Sequence, residues 1–584
     1  MRAAWPFMLL YPLATIFQGF DVTDFGFLAV KYRDILQSGG GVLPADAGGI
    51  ASLYLTEVLA GGWHALAGSA GVVSFKLLFV LLVWCTQGIA WIALKGIVAP
   101  RILVPGLVLA TLAITPEMQW VNYNNTSALG FALAGLFLIR AVLRGKPADF
   151  FLAALAQTVT VFFRLPNLVG LLLLLVPLAY VMYTSGLAMA VRRAGMVLGG
   201  FMSGLFVVAG LICSLGHGQE FVTGMQAVFG GSPGESHEVG YLLKRNLADA
   251  TKVAGVMLFM YALTWLLSRV RFARGKWRML LSGIMIAACI HISMYLIELE
   301  IGKTIITWSL YFLGVCVFLG VEVLRHLPGR FLDRREGWLL VIVFGIAFLV
   351  PQGSDRGLWN SVYGLWLAFP YVLHLVFGMG AKSYLDSRKR HALFAVIVVP
   401  CAGLAVLFAA TFVYRDLPDR TGLVYTLHGE RLKGVLTSEA RARVWNELTL
   451  RLDAYELEGR PLLAYPGIPM LVYATGSLPY LGISWPSLLP VEGQEKAFAW
   501  ARKRYPEYPL VVRALVPTTG RYWPDSEPGL RTVSRGQDRR RRLDDLTRAM
   551  MQAGGYAKVW HNEVFEIWEP DGYEHKRTHQ SVFR

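Results

Sequence analysis

Charged residues are scarce in this sequence: Asp, Glu, Lys and Arg make up 16% of its 584 residues, whereas 55% are hydrophobic. Soluble domains usually carry about 25% charged residues. The shortage falls in long apolar runs, and about 20 apolar residues suffice for a helix to cross a bilayer. The composition therefore predicts a polytopic α-helical membrane protein and excludes an ordinary soluble domain.

Cysteine is also rare. The five cysteines all lie in apolar segments, without metal-ligand spacing: Cys85, Cys213, Cys289, Cys316 and Cys401. The sequence therefore predicts neither a disulfide framework nor a zinc site. Any domain outside the membrane must fold on its hydrophobic core alone.

Basic residues outnumber acidic ones, and the formal net charge is +16. No nucleic-acid-binding motif accompanies this excess, so we predict no nucleic-acid partner. In a membrane protein, Lys and Arg gather instead in the cytoplasmic loops. The expected partners include membrane lipids.

Thirteen apolar segments are candidate transmembrane helices. They are 4–19, 73–95, 101–116, 126–143, 149–163, 167–184, 194–214, 250–268, 278–297, 304–323, 338–352, 358–380 and 391–413. Lys and Arg concentrate in alternate loops, for example 269–278, 325–335 and 382–390. This alternation predicts a cytoplasmic N-terminus. No A-x-A-like cleavage site follows the first run, so we expect it to be retained as a helix and not removed as a signal peptide.

This topology places three long polar stretches on the outer face: 20–72, 215–249 and the tail from 414. The tail alternates predicted strands (461–465, 509–515) with predicted helices (438–458, 494–505, 540–553) and ends in a hairpin at 556–569 with its turn at His561-Asn562. We therefore predict a transmembrane module over 1–413, an extracytoplasmic α/β domain over 414–570 and a disordered end over 571–584.

Two aspartates follow the first apolar run, in FQGFDVTDFGFLAV (17–30). Asp21 and Asp24 are three residues apart, so they share a face of a helix or converge in a loop. Their neighbours are apolar: Phe17, Phe20, Phe25, Phe27 and Leu28. Apolar surroundings raise the pKa of a carboxyl group towards that of a useful base. The alternative is that the aspartates mark the end of a helix at the water boundary. We predict catalytic acids, with Asp21 favoured because it lies nearer the membrane.

Other polar residues fall in the predicted outer turns. Tyr123 and Asn124 suit a sugar, because hydroxyl groups pair with amides and sugar faces stack on aromatic rings. Arg164 supplies a cation suited to phosphate, next to Asn167. Further candidate substrate-binding residues are His237, Lys244, Arg245, Asp355 and Arg356. Each turn alone also fits an ordinary loop or, for Arg164, a side chain that reaches to the interface.

Several short motifs together resemble the GT-C class of integral membrane glycosyltransferases, in a bacterial branch. They are the D-x-x-[FY]-type first loop, Tyr123-Asn124, the R-x-P-N turn (Arg164, Pro166, Asn167), the G-S-D turn (Gly353, Ser354, Asp355) and GSLPYLGISWP (476–486). The resemblance covers most of the chain, although each motif is short.

The resemblance implies a function. Such enzymes move a sugar from a polyprenyl-phosphate carrier to an acceptor hydroxyl of a lipid-linked glycan, a polysaccharide or a protein on the outer face of the cytoplasmic (inner) membrane. An acid in the first outer loop acts as general base, which by position is Asp21 or Asp24. Some members hold a divalent cation, Mg²⁺ or Mn²⁺, at this loop and others need no cofactor; the D-x-x-D spacing does not decide between them.

Two alternatives stay open on the residues alone. A secondary transporter would show ionisable residues at the bilayer midplane and an internal repeat. We find no such repeat, and His291 and His374 lack acidic partners at helical spacing. A glycan ligase or polymerase would share the architecture and change only the reaction.

Overall fold

The structure, a computed structural model, describes residues 4–36, 47–114, 118–230, 239–269, 304–326, 335–353, 356–378, 403, 412–417, 420–520, 523–524 and 537–573. The predicted spans at 278–297 and, apart from residues 403, 412 and 413, at 391–413 lie outside this part. So do His237, Asp355 and the residues after 573. The span count of thirteen therefore stays a prediction.

The described part of the chain before residue 380 is mainly helical. Its α-helices are α1 (Ala4–Leu10), α2 (Asp24–Asp34), α3 (Ala47–Ala67), α4 (Gly71–Leu94), α5 (Pro100–Ile114), α6 (Tyr123–Arg144), α7 (Pro147–Phe163), α8 (Leu175–Ser185), α9 (Leu187–Ser214), α10 (Gly218–Gly230), α11 (Val239–Arg269), α12 (Thr304–His326), α13 (Arg335–Leu349) and α14 (Leu365–Leu373). A 3₁₀ helix over Leu165–Leu174 precedes α8, and another over Gly357–Gly364 precedes α14.

Length and apolarity identify an integral membrane protein. Among the described residues, five helical segments are long and apolar enough to cross a bilayer: Ile50–Leu94, Tyr123–Arg144, Leu165–Ser185, Leu187–Ser214 and Gly357–Phe377. The shorter apolar helices α5 and α7 accompany them. The prediction of a polytopic helical membrane protein is confirmed at this level.

The prediction of a first spanning helix over 4–19 is wrong. The helix α1 ends at Leu10, and turns follow as far as Phe17. Pro12 lacks a backbone N–H and its ring crowds the preceding turn, which ends a helix. Beyond it the backbone of residues 17–19 pairs with Leu436 through an isolated β-bridge.

The predicted outer stretch 20–72 is also more ordered than expected of a loop, because it contains α2, α3 and the start of α4. Part of the reason is Glu57, which is buried in α3 against Lys31 of α2 with 3.4 Å between Nζ and Oε1. A carboxylate that meets a lysine partner is tolerated inside the fold. The charge of Glu57 therefore does not mark an exposed segment of the chain. The stretch 215–249 likewise contains α10 and the start of α11.

Local signals explain where α6 and α7 begin and end. The Asn122 side chain accepts hydrogen bonds from the amides of Asn124 and Asn125, and the Asn125 side chain accepts from the Asn122 amide, a reciprocal cap. Gly145 ends α6 in the left-handed conformation, with φ of 63°. Pro147 then stands at the first position of α7, where its missing N–H costs nothing.

Two glycines in a G-x-x-x-G pattern allow α9 to pack closely on α7. A Cβ on Gly200 would lie 2.9 Å from the carbonyl carbon of Phe151, and one on Gly204 would lie 2.7 Å from Thr158 Cβ. Small residues at this spacing let membrane helices approach each other.

The tail carries a five-stranded mixed sheet in the order β4-β3-β5-β7-β6. Its strands are β3 (Pro461–Tyr465), β4 (Leu478–Pro479), β5 (Leu510–Ala514), β6 (Ala557–His561) and β7 (Phe565–Glu569); a second, two-stranded sheet pairs β1 (Tyr425–Thr426) with β2 (Leu436–Thr437). Strands β3, β4 and β5 are parallel, whereas β6 and β7 form the antiparallel hairpin predicted at 556–569.

The tail helices are α15 (Glu439–Leu452), α16 (Pro469–Ala474), α17 (Val491–Arg504) and α18 (Gln537–Ala553). On one face of the sheet, Leu463 and Val511 pack with Phe498 of α17 and Leu543 of α18. The predicted α/β character of the tail is confirmed.

The chain divides into two compact units. One comprises residues 1–14, 79–214 and 232–410, and the other comprises 15–78, 215–231 and 411–584. The second unit thus groups the tail with the segment that carries Asp21 and Asp24. The domain boundary between 413 and 414 stays a prediction.

Candidate active site

The segment before the aspartates is joined to the rest of the second unit by an isolated β-bridge between Gln18 and Leu436. The Gly19 amide donates to the Leu436 carbonyl at 2.9 Å, and the Leu436 amide donates to the Phe17 carbonyl at 2.7 Å. The ammonium group of Lys76 donates to the carbonyls of Gln18 and Gly19, each at 2.9 Å. This pairing fixes the chain just before Asp21.

Phe20 anchors the segment in the core of the tail. Its ring lies edge-on to Trp445, with 4.8 Å between centroids, and 6.3 Å from the ring of Trp523. Its amide donates to Oδ2 of Asp416 at 2.8 Å. The phenylalanine that the sequence placed beside the acids is therefore a core residue of the tail domain.

Asp21 is buried and its carboxylate caps the turn that starts α2. Oδ1 accepts from the amide and the hydroxyl of Thr23, both at 2.8 Å, and Oδ2 accepts from the Phe25 amide at 3.0 Å. Burial raises the pKa of Asp21 above its usual value; nearby Arg415 opposes that rise, and Asp24 adds to it. Both oxygens serve the local backbone.

Asp24 occupies the first position of α2, with 22% of its side chain exposed. Its Oδ2 accepts from the Tyr414 hydroxyl at 2.6 Å and pairs with Nη2 of Arg415 at 2.8 Å. Arg415 also donates from Nε to the Tyr414 oxygen at 3.3 Å and from Nη1 to the Thr23 hydroxyl. A cation and a phenol thus both contact one oxygen of the Asp24 carboxylate.

A buried ion pair supports this group from below. Asp416 and Arg441 are both fully buried, and Nη1 of Arg441 lies 3.2 Å from Oδ1 of Asp416. Arg441 also donates to the Arg415 carbonyl at 2.6 Å and to the Trp523 carbonyl at 2.9 Å. Asp416 accepts in addition from the Thr437 hydroxyl at 2.7 Å. The backbone carbonyl of Arg415 and the backbone amide of Phe20, which precedes Asp21, are thus both bonded to this buried pair.

Helix α2 leaves the site by docking on α16 of the tail. The Met470 amide donates to the Val22 carbonyl at 3.0 Å. Gly26 makes the approach possible, because a Cβ there would lie 2.5 Å from Met470 Cα. Further along, the ring of Phe27 packs against Trp485, in the segment GSLPYLGISWP, with 6.2 Å between centroids.

Several predicted substrate-binding residues lie in the other unit, where Tyr123 and Arg164 come together. The guanidinium of Arg164 lies 5.1 Å from the centroid of the Tyr123 ring, and its Nη1 donates to the Val350 carbonyl at 3.3 Å. Asn167 is buried and donates to the Ser127 hydroxyl at 2.8 Å and to the Thr160 carbonyl at 2.9 Å.

Asn124 and the remaining described cations lie in the same unit as Tyr123 and Arg164. Asn124 is 1% exposed, and among the described residues neither atom of its side-chain amide has a hydrogen-bond partner. Arg356 lies over the Trp359 ring at 4.7 Å, and Arg245 pairs with Asp249 at 3.7 Å. Lys244 is exposed.

Metal ligands are sparse around the aspartates. Within the part of the chain that the structure describes, no group of three or more His, Cys, Asp or Glu side chains could hold a metal ion. The two oxygens of Asp21 already accept three hydrogen bonds, and Asp24 is paired with an arginine. A guanidinium beside a carboxylate opposes binding of a divalent cation there. A divalent cation at this loop stays a prediction.

Sequence reasoning missed the partners of Asp24. Tyr414, Arg415 and Asp416 stand directly after the last predicted apolar run, at the start of the predicted tail. A compact Tyr-Arg-Asp triplet at a membrane boundary was a usable signal. The pairing across 390 residues was not visible in the sequence.

Comparisons with known proteins add one likeness. No protein-family model and no curated protein matches the sequence. The crystal structure of ArnT from Cupriavidus metallidurans in the apo state is similar to this chain at 13% sequence identity and a TM-score of 0.36, over 97% of this chain and 98% of that one.

Proposed function

We propose that this protein is an inverting glycosyltransferase of the GT-C type. It takes a sugar from a polyprenyl-phosphate carrier and transfers it to a hydroxyl of a glycan or lipid-linked acceptor on the outer face of the inner membrane, with its N-terminus in the cytoplasm. The membrane helices and the motifs that resemble this class support the proposal. The acid–arginine–tyrosine group in the second unit supplies its chemistry.

The observation that carries the proposal is the difference between the two aspartates. Asp21 is 4% exposed and both of its oxygens accept hydrogen bonds from its own turn. Asp24 is 22% exposed and is held by side chains from the start of the tail. A general base must reach the proton that it removes. We therefore assign the base to Asp24 and the capping of α2 to Asp21, which reverses the preference drawn from the sequence.

The proposed reaction needs one base. The sugar carbon gains positive charge in an oxocarbenium-like transition state while its bond to phosphate breaks. The acceptor oxygen attacks from the opposite side as its proton passes to Asp24, and a single displacement inverts the configuration. The departing phosphate keeps the bonding electrons and is stabilised by a nearby cation.

The other predicted contacts stay part of the proposal. Tyr123, Asn124, Arg164, Asn167, His237, Lys244, Arg245, Asp355 and Arg356 are proposed to bind donor or acceptor. Of these, Arg164 and Tyr123 form the best-supported group, because a guanidinium over an aromatic ring pairs a phosphate ligand with a surface on which a sugar can stack.

The test is transfer by the purified protein in lipid nanodiscs supplied with a pool of radiolabelled polyprenyl-phosphate sugars and membrane acceptors. We expect Asp24→Asn to lower the transfer rate by about 10²–10⁴-fold. Asp21→Asn is expected to act mainly on stability. Asp545→Asn is the matched control, because Asp545 is 59% exposed on α18 and pairs with its helix neighbour Arg548 at 3.7 Å.

The stereochemistry of the product, read by NMR, checks the inverting course. Unchanged transfer by Asp24→Asn would remove the base assignment. Absence of transfer by the unmodified protein from every lipid-linked sugar in the pool would remove the proposed function itself.

A further inference from the structure

Arg415 has an unusual backbone. Its φ is 56°, in the left-handed region that residues other than Gly, Asn and Asp seldom adopt. Such conformations persist where the surroundings enforce them, and they concentrate at functional sites. In the second unit the enforcing group is Arg441, which donates to the Arg415 carbonyl at 2.6 Å while it is paired with buried Asp416.

The guanidinium of Arg415 is fully engaged by the site. Nη2 contacts Oδ2 of Asp24 at 2.8 Å, Nε donates to the Tyr414 oxygen at 3.3 Å and Nη1 donates to the Thr23 hydroxyl. The Tyr414 hydroxyl donates to the same Oδ2 at 2.6 Å. One oxygen of the proposed base therefore already accepts two strong donors, which occupy hydrogen-bonding positions that an acceptor hydroxyl would need.

Exposure within this group is uneven. Arg415 and Asp24 have 21% and 22% of their side chains exposed, whereas Asp416 and Arg441 are fully buried. A substrate that approaches the group meets the arginine and the acid first. The planar fork of an arginine matches two oxygens of a phosphate as well as it matches a carboxylate.

We propose that Arg415 is a ligand of the donor's phosphate and that the donor opens the Arg415–Asp24 ion pair. This inference rests on the proposed function. The phosphate takes over the guanidinium, Oδ2 of Asp24 loses that donor, and the acceptor hydroxyl can then bind to Asp24. The donor consequently binds before the acceptor.

In the transfer step, Asp24 accepts the proton and Arg415 holds the departing phosphate. The acceptor oxygen forms the new bond to the sugar carbon, and its proton passes to the Asp24 carboxylate. The bond between that carbon and the phosphate oxygen breaks, and its electron pair stays on the phosphate, which Arg415 holds as polyprenyl phosphate. The proton on Asp24 returns to water when the products leave, and the ion pair forms again.

Binding of polyprenyl phosphate tests the anion contact without any transfer. The probe is undecaprenyl phosphate, titrated against the full-length protein in neutral-lipid nanodiscs. We expect Arg415→Gln to weaken binding by roughly tenfold to a hundredfold, the range for loss of hydrogen bonds to a charged group, and Arg415→Lys to fall between. Arg542→Gln is the matched control, because Arg542 forms an exposed ion pair with Glu495 in the same unit.

Two further arms keep this test decisive. Phosphatidylglycerol in place of the neutral lipid is expected to compete poorly; equal competition would mean that the site holds any anionic headgroup, and would overturn the assignment to the donor. Thermal unfolding of each variant shows whether it is folded. An Arg415→Gln protein that unfolds like the unmodified one and binds the probe equally well also overturns the inference.

Order of binding is the second readout. Initial rates against both substrates are expected to show donor before acceptor in the unmodified protein, and a random order in Tyr414→Phe combined with Arg415→Lys. A random order in the unmodified protein contradicts the opening of the ion pair. If the unmodified protein transfers no sugar but Arg415→Gln still weakens probe binding, the function fails and the phosphate contact stands. If transfer occurs and Arg415 variants bind the probe and transfer sugar normally, the proposed function stands and the phosphate contact fails.

Discussion

Arg441 and Asp416 form an ion pair that no solvent reaches. Nη1 and Oδ1 are 3.2 Å apart, and each side chain is 0% exposed. Asp416 also accepts hydrogen bonds from the Phe20 amide and the Thr437 hydroxyl. Arg441 donates hydrogen bonds to the carbonyls of Arg415 and Trp523. Residues from both ends of the chain are thus bonded to one buried charge pair next to the candidate site.

Removal of one partner of this pair should be costly. We expect Arg441→Met to destabilise the second unit by about 3–5 kcal/mol, because it leaves the Asp416 charge buried without its partner. Denaturant unfolding of the purified protein, followed by tryptophan fluorescence, measures the change. Arg443→Met on the same helix is the control; its side chain is 55% exposed, and an exposed pair contributes about 0–1 kcal/mol. Equal effects of the two substitutions would contradict this account.

Phe20 and Phe17 offer a matched comparison of a core and a surface ring. Phe20→Ala is expected to destabilise the second unit by about 3–5 kcal/mol, because its ring is 1% exposed between two tryptophans. Phe17→Ala should change stability little, because that ring is 48% exposed. The same unfolding measurement separates them, and a small effect at Phe20 would argue against its insertion into the tail.

Gly26 should not tolerate a methyl group. A Cβ there meets the backbone of Met470, so Gly26→Ala is expected to cost about 1–3 kcal/mol and to loosen the docking of α2 on α16. Gly62 in α3 is the control, since a Cβ there meets nothing within 4 Å. Gly62→Ala should stabilise its helix by about 0.5–1 kcal/mol. Thermal unfolding of both variants gives the two signs.

The ionisation of Asp21 should link stability to pH. Burial raises its pKa in the folded protein above the ordinary value of 3.8. At a pH between these two pKa values, the folded state therefore holds a proton that the unfolded state has released. The stabilisation that comes from this proton is complete below 3.8 and is lost as pH rises through the folded pKa. Relative to Asp21→Asn, which does not titrate, the unmodified protein should lose stability over that window.

Unfolding free energies of the two proteins at several pH values from 4 to 7 measure this difference. A constant difference across the range would mean that Asp21 does not titrate there. Asp24→Asn, measured in parallel, shows whether the neighbouring carboxylate shares in the effect.

Sequence patterns located many elements of the fold. The strand at 461–465 and the hairpin at 556–569 depend on short-range signals, namely apolar runs and turn residues. The span predicted over 4–19 was wrong because the chain beyond Pro12 turns and then pairs with Leu436, over 400 residues away. Apolar composition cannot register such a pairing.

The sequence by itself determined the membrane class, the α/β tail and the stretch that contains the candidate acids, since hydropathy and local periodicity are properties of neighbouring residues. Only the tertiary structure decided the roles of Asp21 and Asp24. Both follow the same apolar run, but the backbone turn takes the oxygens of Asp21, whereas Tyr414 and Arg415 meet Asp24. The reason is geometric, because the partners of Asp24 lie about 390 residues away and are brought to it by folding around a buried ion pair.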